Sequence, residues 1–406
     1  MTPSSPRPLR EWLVASSAGL VGAQLVVGIV EALSYHPVAA QAYASEKALR
    51  GSLLGAVGAG FHYWGSAALL VLSMLLVLEM VLNEGYREVG RWYAAIGLAV
   101  VAFVFQLTGN LLPMDRHGVQ TAVVEAGVAG SAPVAGHRVS EFMLAGNGFN
   151  DSTISLWWTG HAYILPLGAV LLSLLLIRRG AARSAAYVLA PLVVLVLAIF
   201  LRAPLGNPAT PADYGQFNAH VSWYTWPLHA MLSAFSRISP RAAWVGAILV
   251  PTAIAVGLLA MPWIGKRVTY IAVRGLTLLV LATFLVVGGV FGGPIAPLIG
   301  NRDPAGEAVA VKPRVKSTDP NVLALVARGR QDFNSVGCSD CHGKDGRKGD
   351  SGPDLSNEYK IHPDAAWYGG LIRNPKSVNP SATMPAFPNL TDAQLKSIGT
   401  FLSEPP

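Results

Sequence analysis

A chain of 406 residues that is 52% hydrophobic and only 13% charged has more apolar surface than one soluble core can hide, which points to a polytopic membrane protein. The formal charge of +7 raises nucleic acid as a partner, but the basic residues are dispersed and form no nucleic-acid motif, so that class is excluded. The two cysteines, Cys338 and Cys341, are too few for a disulfide scaffold and are spaced as a ligand or redox motif.

Seven stretches are long and apolar enough to cross a bilayer of roughly 30 Å: 12–34, 53–82, 92–113, 153–177, 184–202, 242–264 and 272–292. The first follows basic residues, as a signal peptide would, but it lacks a small-residue cleavage site and is expected to remain as a helix. Arg7 and Arg10, then Arg87 and Arg91, then Arg178, Arg179 and Arg183, then Lys266, Arg267 and Arg274 fall on one side. The positive-inside rule makes that side cytoplasmic. An odd number of spans then places the C-terminus outside, which is the periplasm if the host is a bacterium with an inner membrane.

The opposite loops, 35–52, 114–152 and 203–241, are longer and hold the Gly, Pro and aromatic residues of functional loops. Beyond the last span, 294–320 holds five prolines and reads as a flexible linker. Residues 321–406 read as a small soluble helical domain.

That domain contains Cys338-x-x-Cys341-His342. Two thiols at this spacing can form thioethers with haem vinyl groups, and the adjacent imidazole can ligate the iron. A thioredoxin-like pair would not need His342, and zinc would need more ligands. Downstream, Met384 in a Met-Pro loop is the expected sixth ligand, with His362 its rival. Residues 321–406 resemble the class I mono-haem cytochrome c family. Covalent haem attachment outside the cytoplasm agrees with the topology.

Histidine within a membrane span is costly and suggests function. Alone, His62 in the second span is as readily a hydrogen-bonded core residue as a ligand. His161, near the outer end of the fourth span, changes the balance. Parallel second and fourth spans bring both imidazoles to one depth, where they can hold one haem iron.

"ALSYHPVAAQAYASEKAL" (32–49), "LTGNLLPMDRHGVQTAVVEAGVAGSAPVAG" (107–136) and "LRAPLGNPATPADYGQF" (201–217) resemble, in order, segments of the cytochrome b and b6 plus subunit IV family. The resemblance implies an all-α fold with a seven-helix cytochrome b-like bundle. Residues 1–183 would be the b6-like haem domain and 184–293 the subunit IV-like part. Relatives carry two histidines on each of the second and fourth spans, four turns or roughly 21 Å apart, holding two b haems. Here the inner positions are Leu76 and Leu175 or Leu176. Gly28 and Gly109 match the glycines that pack beside the outer haem, while their inner counterparts are Val14 and Ala95. One haem b is therefore expected, with one haem c.

In the family, quinol is oxidised at the outer face at a Pro-Glu-Trp-Tyr motif whose Glu accepts a proton. This chain has Val221-Ser222-Trp223-Tyr224, so Trp223 and Tyr224 mark a degraded quinone site without its carboxylate. His220 and His229 are nearby proton-acceptor candidates, though each is more readily an ordinary loop histidine, and Asn110 replaces an expected Tyr. With one haem missing, no complete Q cycle is expected.

Two functions fit. The first is an electron-transfer subunit of a quinol:cytochrome c-type oxidoreductase, linking membrane quinone to a periplasmic carrier or oxidoreductase, with a Rieske-type protein one candidate partner. The second is an anchor and relay for a periplasmic dehydrogenase or reductase with no quinone chemistry of its own.

Overall fold

The computed structural model describes residues 8–146, 148–177, 184–209, 222–238, 242, 244–265, 267–291, 317–344, 353, 355–378, 382 and 384–404, without the side chains of 233, 234, 236, 237, 284–291, 340 and 341. Most of the expected 294–320 linker, together with His220 and Val221, lies outside the described residues. The fold is all-α: among the described residues there is no β-strand, only an isolated bridge between Asp115 and Pro208.

In chain order, α1 is Pro8–Ala32, α2 Ala39–Leu49, α3 Leu53–Leu82, α4 Val89–Leu111, α5 Arg116–Gly130, α6 Gly136–Leu144 and α7 Asp151–Thr159. A π-helical turn, Gly160–Ile164, joins α7 to α8 (Leu165–Leu176). Then come α9 Ala186–Phe200, α10 Trp226–Ile238, α11 Val250–Ile264, preceded by a second π turn at Val245–Leu249, and α12 Tyr270–Phe291. Among the described residues five helices are long and apolar enough to cross a membrane, and Ala186–Phe200 and Tyr270–Thr283 are shorter apolar helices. All seven overlap the expected spans. The fifth is the short one, since fifteen residues rise only about 22 Å.

The chain divides into two compact units: 1–114 with 154–205 and 254–282, and 115–153 with 206–253 and 283–406. In the first, α1 packs on α3, α8 and α9, and α4 packs on α3 and α8. Its basic end is tied by charge. Arg10 bonds Glu79 at 2.6 Å and Glu88 at 3.0 Å, and Arg91 bonds Glu88 at 3.1 Å and Glu11 at 2.9 Å. Arg10 and Glu79 are buried, and buried ions persist only when each finds its partner. Arg91 also donates to the Leu176 carbonyl at 3.0 Å, satisfying an orphan acceptor at the end of α8.

In the second unit α5 starts at an N-cap, Asp115, which accepts from Gly118 N at 2.8 Å. Its other carboxylate oxygen accepts from Gly206 N at 2.8 Å, fastening the 206–208 strand-like segment beside the helix start. The C-terminal module of this unit consists of α13 Pro320–Ser335, α14 Cys338–Cys341, α15 Ala365–Arg373, α16 Pro375–Val378 and α17 Asp392–Ser403. α13 and α15 both pack on α17, with Phe333 edge-on to Phe401 at 5.5 Å. Gly329 is required at the α13 crossing, because any Cβ would meet the Ser397 backbone. A Thr391–Gln394 capping box starts α17.

Candidate functional site: a paired-histidine centre, a buried polar cluster and a Cys-Cys-His loop

The two intramembrane histidines converge. Their ring centroids lie 6.0 Å apart. Two imidazoles bound on opposite sides of one iron, with metal–nitrogen bonds of about 2.0 Å, would also have centroids about 6 Å apart, so the spacing fits a bis-histidine centre. Each imidazole faces a glycine on the neighbouring helix. A Cβ on Gly28 would lie 3.1 Å from Cε1 of His62, and one on Gly109 would lie 2.9 Å from Cε1 of His161. Both glycines are thus needed for close approach, and they form a cradle that a methyl would fill.

The tautomer of His161 follows from its neighbours. The Thr108 hydroxyl has one proton and donates it to the Val104 carbonyl at 2.8 Å. The 2.8 Å bond between Thr108 Oγ1 and His161 Nδ1 must then be donated by Nδ1–H. That leaves the Nε2 lone pair free for a metal, and such outer bonds orient ligating histidines. Phe105 meets the ring edge-on at 5.2 Å. From α1, Gln24 donates to the His62 carbonyl on α3 at 2.9 Å. Nδ1 of His62 has no hydrogen-bond partner, and its nearest carboxylate, Glu31, stands 3.7 Å away.

His161 lies in the π turn, and single π turns within helices often mark functional positions. The extra residue settles the register of the fourth span. Leu176 is 1% exposed, whereas Leu175 is 58% exposed, so the position four turns below His161 is Leu176, fifteen residues on. On α3 the matching position, Leu76, is fully buried, as are Val14 and Ala95. The inner half of this bundle is closely packed, with the buried hydroxyls of Ser16, Ser17, Ser73 and Ser173 among its apolar side chains.

The remains of the expected quinone motif lie in the other unit. Trp223 is 41% exposed and Tyr224 half-buried, with their rings edge-to-face at 5.8 Å. Next to them Ser222, Thr225 and His229 are buried. Burial pushes the His229 imidazole down to about 4, so it is neutral and a weak base. The same unit buries Glu125 on α5 at 8% exposure. The Thr225 hydroxyl lies beside it and burial pushes its carboxyl up to about 8. Thr225 spends its proton on the Ser222 carbonyl at 3.1 Å, and neither Glu125 oxygen has a hydrogen-bond partner. Glu125 was not among the expected site residues. The only trace of it in sequence is one acid in the otherwise neutral run "TAVVEAGVAG".

In the C-terminal module the α14 turn leads from Cys338, which is buried, to His342. Nδ1 of His342 lies 3.0 Å from the Pro353 carbonyl. A carbonyl only accepts, so Nδ1 carries the proton and Nε2 is free for a metal. Burial lowers the basicity of this imidazole, against the pull of that carbonyl. Met384 packs, half-buried, against the apolar core that includes Cys338. His362 lies flat on Trp367, with centroids 3.5 Å apart and 8° between the planes. The Cys341 side chain is outside the described residues.

Comparisons with known proteins match two separate stretches of the chain. The family model for cytochrome b/b6/petB matches residues 2–179. That for cytochrome c oxidase, cbb3-type, subunit III matches residues 324–402. Cytochrome b6 of Tupiella akineta is 31% identical over 155 residues, covering 37% of this chain and 72% of that protein. Cytochrome b6 of Mastigocladus laminosus is 28% identical over 162 residues, covering 38% and 75%. A solved chain described as a hyperthermophilic respiratory complex III shares the fold at a TM-score of 0.57 and 19% identity, over 73% of this chain and 86% of that one.

Proposed function

Since the chain belongs to the cytochrome b/b6 family and continues into a cytochrome c domain, we propose that it is a membrane electron-transfer subunit with one haem b and one haem c. It is an integral membrane protein, and haem b and haem c are the cofactors its two families imply. In this reading it links membrane quinol to a periplasmic redox partner, from a bacterial cytoplasmic membrane with its N-terminus inside. Residues 1–183 and 184–293 form the membrane parts, and 321–406 is the periplasmic carrier.

The bound haems would supply reversible one-electron transfer. His62 and His161 would hold the b iron through Nε2, with Thr108 fixing the tautomer of His161 and Gly28 and Gly109 leaving room for the rings. Cys338 and Cys341 would make the thioethers, while His342 and Met384 hold the c iron and the Pro353 carbonyl orients His342. His362, committed to Trp367, is set aside as a ligand.

The observation that carries the reading is the contrast along one bundle: paired histidines beside glycines at one depth, buried Leu76, Leu176, Val14 and Ala95 four turns away. A pyridine haemochrome assay on the purified chain should give haem b and haem c in equal amounts. His62→Ala and His161→Ala should each remove only the b spectrum. Two b haems per c would refute the single-haem reading. Failure of quinol to reduce either haem would leave the anchor-and-relay function in its place.

A further inference from the structure

We propose that Glu125 is the proton acceptor for quinol oxidation, standing in for the carboxylate missing from the Trp223–Tyr224 loop. The proposal rests on the quinol reading above. Two points place α5 against α10: Val128 packs against the small core of Leu232 and Ala247, and Glu125 lies beside Thr225. Thr121, Glu125 and Val128 recur at helical spacing on one side of α5, and Thr225, immediately before α10, continues the helical spacing of His229 and Leu232. The polar members of these faces meet one and two residues after Tyr224 and Trp223. Three of the oxygens there, both of Glu125 and Oγ1 of Thr121, are buried without a partner.

A buried acid with no donor is expensive to keep, and such a group next to the remains of a substrate loop has the properties of a proton acceptor. It is also the better base of the two buried candidates. An acceptor works best when its proton affinity lies near the working pH. Glu125 is held at about 8, whereas His229 at about 4 holds a proton poorly. Among the described residues the other ionisable groups on or against α5 include Asp115, Arg116 and His117 at its start, His137, Arg138 and Glu141 on α6, and Lys376 beside Gly130. Burial raises Glu125, and no charge among these groups offsets it.

In the step, one quinol O–H bond breaks and its proton passes to a Glu125 carboxylate oxygen. The second hydroxyl proton goes to water on the same side. The two electrons leave to two one-electron oxidants of the haem or iron–sulfur class, each reduced once, and quinone remains.

The test uses the full-length chain with its haems, a short-chain ubiquinol as the probe, and Glu125→Gln, Glu125→Asp and His229→Gln variants. Rapid mixing would follow quinol-driven haem reduction against pH. Redox-difference infrared spectra would follow the protonated-carboxyl band. The wild-type rate should rise with pH and level off above about 8, because the ionised carboxylate is the base. Glu125→Gln should be about 10²- to 10⁴-fold slower, lose both the pH dependence and the carboxyl band, and keep unchanged dithionite-reduced spectra and haem potentials. Glu125→Asp should retain the pH-dependent step.

Normal wild-type reduction with a Glu125→Gln rate within about twofold would overturn Glu125 alone, as would transfer of the full loss to His229→Gln. A wild-type chain that quinol does not reduce would overturn the quinol reading itself.

Discussion

Adding a single methyl at Gly109 tests the cradle where it is tightest, because the clash falls on His161 itself. A Cβ there would sit 2.9 Å from Cε1 of His161, while unstrained carbon contacts lie at about 3.5–4.0 Å. The imidazole would have to retreat by about 0.6–1.1 Å. It cannot do so freely, since Nδ1 is bonded to Thr108 at 2.8 Å and Phe105 lies against the ring. Overpacking of this kind costs about 1–3 kcal/mol; felt as displacement of His161 from its binding position, that is about five- to 150-fold weaker haem b binding. Gly28→Ala should be milder, with its Cβ at 3.1 Å from His62 and no bond on Nδ1 to hold that ring. Gly22→Ala, with nothing within 4 Å of its Cβ, should leave haem binding intact. Alanine is a better helix former than glycine by about 1 kcal/mol, so none of the three should weaken the helices themselves. The covalently held c haem provides an internal standard, and the measurement is the b to c ratio after detergent washing with free-haem competition. Full haem b with an unshifted spectrum in Gly109→Ala, or equal loss in Gly22→Ala, would refute the cradle.

Three further outcomes are expected. Met384→Ala should lower the haem c potential in a redox titration and leave covalent attachment intact, while His362→Ala should leave the potential unchanged; the reverse pattern would make His362 the ligand. Arg10→Met should leave Glu79 buried without its partner, costing about 3–5 kcal/mol and lowering the thermal transition of the haem b spectrum in detergent; an unchanged midpoint would mean the ion pair contributes nothing. In proteoliposomes with a partner enzyme, turnover should generate no membrane potential through this chain; a voltage-dye signal that disappears in the His62→Ala variant would require an inner cofactor.

The histidines, their glycines and the Cys-Cys-His motif were legible in the sequence because each rests on local chemistry at fixed spacing. His62 and His161 were costly residues in apolar runs, and the structure brings their rings together. The π turn left only an ambiguity between Leu175 and Leu176, since nothing in "GHAYI" forces an extra residue into a turn. The ion network was illegible for a different reason. Arg10 and Glu79 are 69 residues apart, and Arg91 and Glu11 are 80 apart, so only the finished bundle pairs them. Glu125 was passed over because a lone acid in a loop helix ordinarily faces water. Its burial depends on α10, a hundred positions later in the chain.

The inner and outer halves of the bundle answer the same packing problem with opposite side chains, and this makes the change hard to undo one residue at a time. Removing a haem from between four helices would leave a large void, and voids cost about 24 cal/mol per Å³. Val14, Leu76, Ala95 and Leu176 are all 0–1% exposed, so that volume is occupied by side chains from four different helices. Restoring one ligand, as in Leu76→His, would place an imidazole at a fully buried position with no second histidine opposite it, since the matching position on α8 is Leu176. Restoring space alone, by glycine at 14 or 95, would open a cavity with no ligand. Below this core, Arg10 and Arg91 tie α1, α3 and α4 together through Glu79, Glu88 and Glu11, adding a polar lock to the packed end. A second haem would need at least four coordinated substitutions, and each alone lowers stability. The proposed single-haem arrangement therefore rests on the whole inner core.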